Sequence, residues 1–170
     1  MIEIVGRLKA VEYWIKVEPM TEATNERKSM QIGVNKIYIK DLSLESPSSP
    51  DIFFSNMQPQ LGVDFQIQTK KFKDDLYEVV LKITLEAKEK DKEAVAFIIE
   101  IEQAGVFGIS GTSDEELKTI LHTFCPTQLF PYARQAIDTS LSMAGLPVVN
   151  LAPINFDGLY AQNQNKIQDS

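Results

Sequence analysis

The sequence predicts an α+β domain: a four-stranded antiparallel sheet followed by helices packed on one side of it. Three observations carry this expectation. Apolar residues recur with period two through the runs between residues 31 and 104. From Ser113 onward they recur at helical spacing instead. Short charged stretches separate the strand-like runs, as hairpin turns do.

The first strand is expected from Gln31 to Lys40, a stretch rich in β-branched residues. Pro47 and Pro50 follow. They cannot donate to a ladder, so the strand must stop before them. The connection from Asp51 to Gly62 carries Ile52, Phe53, Phe54, Met57 and Leu61, which is too apolar for an idle surface loop. Val63 to Gln68 alternates, with Val63, Phe65 and Ile67 on one side and Asp64, Gln66 and Gln68 on the other. Lys70 to Asp75 reads as a charged turn. A long strand over Leu76–Lys88 puts Tyr77, Val79, Leu81, Ile83 and Leu85 on one face. Its other face carries Glu78, Val80, Lys82, Thr84 and Glu86. Glu89 to Glu93 is a second charged turn. The fourth strand, Ala94 to Ala104, puts Phe97, Ile99, Ile101 and Gln103 on one face and Ile98, Glu100 and Glu102 on the other. Successive strands joined by short turns predict an antiparallel meander.

Gly105 to Gly111 reads as a flexible strand-to-helix turn. Ser113 with Glu116 forms the pattern of a capping box, so a helix starts there with Leu117, Ile120, Leu121 and Phe124 on its apolar face. Pro126 and Pro131 suit a helix's first turn, where N–H groups lack partners. One helix is therefore expected to end near Cys125 and a long one to start between Thr127 and Leu129, with a single helix kinked near Pro131 as the alternative. The long helix stops at Gly145, a good C′ residue. Asn155 can cap a last helix carrying Phe156, Leu159 and Tyr160.

Bulk properties exclude several functions. The chain of 170 residues carries a formal net charge of −7, which disfavours nucleic acid and favours a basic partner. No run of about 18 apolar residues is present, so no membrane insertion is expected. A single cysteine cannot form an intramolecular disulfide, which fits a reducing, cytoplasmic setting. One cysteine and one histidine make a structural zinc site improbable. Residues 1–29 hold five basic and five acidic side chains, so the net charge lies in residues 30–170. They are expected to be an N-terminal extension, with residues 1–19 preceding a physiological start at Met20 and a disordered polar run from Met20 to Ser29. Residues 30–161 form the expected domain and 162–170 a flexible tail.

Candidate chemistry is sparse. His122 and Cys125 could approach at i, i+3 on a helix. A thiolate nucleophile also needs an oriented base and an oxyanion hole, and the sequence shows neither. Cysteine beside an apolar stretch is a small buried hydrophobe. The glycines of 105–111 lack phosphate-loop spacing. Glu78, Glu86, Glu100 and Glu102 read as a solvated sheet face that a basic partner could dock on, rather than an acid/base pair. Phe53, Phe54 and Met57 form either a lid over the core or an adaptable apolar groove wall. No catalytic residues are assigned, so the chain is not expected to be an enzyme.

Six blocks in order point to one family. They are Ile37-Tyr-Ile-Lys-Asp-Leu-Ser-Leu-Glu-Ser-Pro47, Gln58-Pro59, Leu76-Tyr-Glu-Val-Val-Leu81, Phe107-Gly-Ile, Cys125-Pro-Thr-Gln-Leu-Phe-Pro-Tyr-Ala-Arg134 and Leu151-Ala-Pro-Ile-Asn-Phe-Asp-Gly-Leu159. Residues 30 to about 161 resemble the SecB family of bacterial protein-export chaperones. The resemblance implies a homotetramer, a dimer of dimers, that binds unfolded preproteins without ATP or any cofactor and delivers them to the SecA motor. A SecB-like chaperone dedicated to an antitoxin or another single partner is the alternative it leaves open. It implies SecA docking at Asp41, Glu45, Ile98 and Glu100, and subunit association at Ile99, Ile101 and Gln103. The client groove falls on Phe53, Phe54, Met57 and Leu61, with Met57 standing where the family often has tryptophan.

Overall fold

A computed structural model of the chain describes residues 29–54, 59–89 and 94–168. Residues 1–28 of the N-terminal extension, Met57 and the turn over 90–93 lie outside the described residues. Strands β1 (Gln31–Glu45), β2 (Pro59–Lys73), β3 (Leu76–Glu89) and β4 (Val95–Ser110) form one antiparallel sheet. Helices α1 (Asp114–His122), α2 (Phe124–Met143) and α3 (Phe156–Gln168) follow. Strands come first and helices second, as the change of period predicts.

The strand order is β1-β4-β3-β2, so only β2, β3 and β4 form a meander. β1 pairs with β4, and the chain after it crosses to the far edge of the sheet. Hydroxyls pin this crossing to the start of β4: Ser48 Oγ donates to the Val95 carbonyl at 2.6 Å and Ser46 Oγ to that of Ala96 at 3.3 Å. The pairing gives β4, whose inward positions are all buried, a neighbour on both sides.

Two turns are shorter than expected. β2 continues through the lysines to Lys73, leaving Asp74 and Asp75 as the turn. β4 continues through the glycines to Ser110, and the change of direction falls on Gly111 at φ 72°. The physical reason at Gly105 is close packing. A Cβ there would meet Phe107 Cε2 at 2.8 Å and Leu129 Cδ2 at 2.9 Å, so the missing side chain lets α2 approach β4.

The helices cover the apolar face of the sheet. Val79, Leu81, Ile83, Leu85, Phe97, Ile99 and Ile101 are buried in one core with Leu121, Cys125, Leu129, Ala133, Ile137, Leu141 and Phe156. Each of the Val, Leu, Ile and Phe side chains among them contributes about 1.5–3 kcal/mol by leaving water. Ser113 caps α1 through a complete capping box, with Glu116 N–H to Ser113 Oγ at 3.3 Å and Ser113 N–H to Glu116 Oε2 at 2.9 Å. The joint between α1 and α2 sits at Thr123, so Phe124 and Cys125 belong to α2 and its start is earlier than the prolines suggest. Pro126 lies in the first turn as expected, but Pro131 is inside the helix. Pro131 is exposed, so its ring and the carbonyl it leaves unbonded face water. Leu146 N–H donates to the Leu141 carbonyl at 2.9 Å where α2 ends, and Gly145 takes φ 74° there. Asn155 Oδ1 accepts from Gly158 N–H at 2.9 Å and caps α3. That helix runs to Gln168, past the boundary expected near residue 161.

Candidate docking face and client groove

Cys125 is fully buried, and burial pushes its thiol up to about 12, so it stays protonated. His122 points elsewhere: its Nδ1 bonds the Lys118 carbonyl at 2.8 Å, and its ring stacks on Tyr160 at 5.5 Å between centroids. Cysteine and histidine serve packing in two different places.

Register then sets what the sheet presents to solvent. Cross-strand partners share a face. Glu45, Ile98, Glu86 and Gly62 form one row across the sheet. Ser43, Glu100, Thr84 and Asp64 form the next, and Asp41, Glu102, Lys82 and Gln66 the third. This is the face turned away from the helices, because the intervening β4 residues Ile99 and Ile101 are fully buried in the core. All four residues expected to dock a partner, Asp41, Glu45, Ile98 and Glu100, therefore lie within three adjacent rows. Glu86, Glu102 and Asp64 join them. Ile98 becomes a half-buried apolar spot between Glu45 and Glu86.

Little of this charge is neutralised internally. Thr84 Oγ1 donates to Glu100 at 3.1 Å, Lys82 Nζ sits 3.8 Å from the same carboxylate, and Lys88 pairs Glu86 at 2.9 Å. Asp41, Glu45 and Glu102 make no ion pair among the described residues. The remaining glutamate of the sequence's acidic set behaves differently. Glu78 accepts from Tyr38 Oη and pairs Lys40 at 3.0 Å. The Tyr38 and Lys40 hydrogen bonds hold its carboxyl below the usual range, while Glu78 pushes the Tyr38 phenol up to about 12. It is a structural clamp from β1 to β3 over Ala104, outside the docking rows.

The apolar site forms at the same end of the sheet on the other side. A cavity of about 250 Å³ is lined by Ile52, Phe53, Pro59, Phe97, Gly145, Leu146 and Pro147. Of the expected groove residues, Phe53 lines it; Phe54 (89% exposed) and Leu61 (48%) lie outside the lining. The wall from Gly145 to Pro147 was not foreseen. Its signal was the Gly-Leu-Pro helix stop, legible as a turn but not as a wall. A Cβ on Gly145 would stand 3.6 Å from Phe53 Cε1, so the glycine borders that ring.

The residues expected at a subunit interface are covered by the chain itself. Ile99 and Ile101 are fully buried and Gln103 is 2% exposed. Gln103 Nε2 donates to the Tyr38 carbonyl at 2.8 Å, and its Oε1 has no partner among the described residues. Any effect of these positions on assembly must pass through core packing.

The family model described as "Preprotein translocase subunit SecB" matches residues 25–167. A protein-export protein SecB of Marinobacter nauticus is 44% identical over 153 residues, 89% of this chain and 92% of that one. Its counterpart in Hahella chejuensis is 45% identical over 143 residues, 84% of this chain and 89% of that one. In Chromohalobacter salexigens the figure is 41% over 140 residues, 82% and 85% of the two chains. Among solved structures, the Mycobacterium tuberculosis Rv1957 SecB-like chaperone, in complex with a ChAD peptide from the Rv1956 HigA1 antitoxin, superposes with a TM-score of 0.62. It covers 72% of this chain and 90% of its own at 15% identity, a likeness of fold.

Proposed function

The chain belongs to the SecB family, and from that premise we propose that it is an ATP-independent, cytoplasmic export chaperone. It binds unfolded preproteins, keeps them competent for translocation and delivers them to the SecA motor. The observation that carries this reading is the separation of two surfaces on one sheet. Asp41, Glu45, Ile98 and Glu100 converge on the solvent face, while the Phe53 cavity opens on the helix side. A basic motor segment can then engage the first while an apolar client occupies the second.

Client binding follows from area. Apolar burial yields about 25 cal/mol per Å², and ordering the client consumes much of it, so one groove binds modestly. Several grooves on an assembly raise affinity through avidity. A homotetramer, a dimer of dimers, suits this need and covers apolar side chains that the single chain leaves half exposed, such as Val34 at 47% and Ile39 at 50%. Ile99, Ile101 and Gln103 would support that assembly from beneath by fixing the elements that meet the neighbour. Dedication to one partner is the weaker reading: relatives at 41–45% identity are named for protein export, and the antitoxin-bound structure is alike in fold alone.

Asp41→Lys with Glu100→Lys tests the docking assignment. Each reversal removes an attraction and adds a repulsion, at about 0.2–1 kcal/mol per exposed pair. SecA affinity should fall about tenfold or more at low salt, with client holding retained. Unchanged SecA affinity would refute the assignment.

A further inference from the structure

The solvent face of the sheet changes sign along its length. Beyond the acidic rows lie Tyr38, Ala104, Val80 and Gln68; then Lys36, Val106, Glu78 and Lys70; then Gly33, Gly108, Leu76 and Lys73. Bulges at Lys40 and Asn35 on β1 keep these rows on the same face. This half holds Lys36, Lys40, Lys70 and Lys73 against Glu78, with Asp74 and Asp75 in the turn at its far end. Glu78 is already held by Tyr38 and Lys40. Lys36 and Lys73 make no ion pair among the described residues. Between the lysines the surface is low and apolar, because Leu76 and Val106 stand beside Gly33 and Gly108, while Val80 is buried. A Cβ on Gly33 would meet nothing within 4 Å, so the shelf is open above β1.

The two halves act separately in solution. Rows recur about every 6.7 Å along a strand, so the Lys36 row lies about 13 Å from the Asp41–Glu102 row and about 20 Å from the Glu100 row. Both distances exceed the Debye length of about 8 Å at physiological salt. The acids therefore do not cancel the lysines, and each half attracts its own counter-charge. A flat anionic bilayer would meet the lysines only by pressing Asp41, Glu45, Glu86 and Glu102 against its own charge. An extended peptide avoids that conflict.

We propose that the Lys36/Lys70/Lys73 half binds an extended acidic segment of the same docking partner whose basic segment meets the Asp41/Glu45/Glu100 half, so that the sign reversal fixes the partner's direction on the sheet. This rests on the docking reading above and adds a second, oppositely charged contact to it.

Three peptides without apolar residues test it by fluorescence anisotropy: a lysine block, a glutamate block, and the two joined by a Gly-Ser spacer of about six residues, enough to span about 20 Å. At physiological salt the joined peptide should bind about fivefold tighter than the lysine block, as two or three exposed pairs allow. Lys36→Glu with Lys73→Glu should erase that advantage and leave lysine-block binding at least as tight. Circular dichroism checks that these exposed-site variants remain folded. Equal binding of joined and lysine-block peptides to the unmodified protein would overturn the proposal. So would unchanged glutamate-block binding in the lysine variant, including the case in which only attachment to phosphatidylglycerol vesicles is lost. Failure of the docking reading shows separately, as lysine-block binding indifferent to Asp41→Lys with Glu100→Lys.

Discussion

Replacing Gly105 by alanine separates two descriptions of the glycine-rich stretch by the sign of the result. In a flexible turn, Gly→Ala is neutral or stabilising by about 0.4–1 kcal/mol, because it narrows the unfolded ensemble. In the structure the new methyl would stand 2.8 Å from Phe107 Cε2, 3.1 Å from Phe107 Cζ and 2.9 Å from Leu129 Cδ2. Both neighbours are fully buried and cannot swing into solvent. Overpacking of this kind costs about 1–3 kcal/mol. For a chain of this size that lowers Tm by about 2–4 °C per kcal/mol. Urea unfolding followed by circular dichroism gives the free energy, and a thermal scan the midpoint. Leu129→Ala removes one of the two obstacles, so its combination with Gly105→Ala should cost less than the sum by at least about 0.5 kcal/mol. A stabilised Gly105→Ala protein, or strict additivity in the double variant, would refute the close approach of α2 to β4.

Other expectations follow from the same geometry. Glu78 is held below its ordinary range, so the clamp stabilises the fold above that range and loses this contribution as pH falls through the folded value; Tyr38→Phe should reduce the loss of stability between neutral pH and pH ~3, measured by urea midpoints. The phenol has the opposite sign: raised from 10.0 to about 12, it stabilises fully below 10.0 and stops as pH rises through about 12, so Tyr38→Phe should also flatten the alkaline limb. Phe53→Ala should weaken capture of an unfolded preprotein more than Phe54→Ala, because Phe53 alone of the pair lines the cavity; equal effects by titration would displace the groove. Cys125 should resist a thiol reagent at pH 8 until denaturant is added, and prompt labelling of the native protein would contradict its burial.

Much of the fold was legible because periodicity is a local property. The faces of β3 and β4 follow from alternation alone, and burial matches them except at Val80, which is buried on the outer face. Ser113 and Asn155 announced their helices because a cap is a contact over three residues. Strand order was different. Short turns settle which strands are sequential neighbours, but nothing local says that β1 lies against β4, a pairing with partners such as Gln31 and Ser110 far apart in sequence. The glycines of β4 misled for a related reason. A glycine that frees the backbone and one that admits a neighbour look identical until Leu129 is placed beside it. In the docking rows, Asp41 and Glu45 met Glu100 and Ile98 through the family resemblance; alternation alone could not have put β1 and β4 side by side.

That pairing also explains how one thin sheet can carry two surfaces. On β4, Phe97 lines the cavity and Ile98, the next residue, sits among the docking acids. Consecutive side chains of a strand point to opposite faces, so the surfaces are back to back at one end of the sheet and do not compete for space. The register that builds them is strongly specified, because a slip of one residue would send Ile99 and Ile101 to solvent and Glu100 into the core. A buried carboxylate there would cost far more than any docking contact returns. The alternation that keeps the core apolar is therefore what keeps the acids presented, and the placement of charge on the outer face follows from the burial of the inner one.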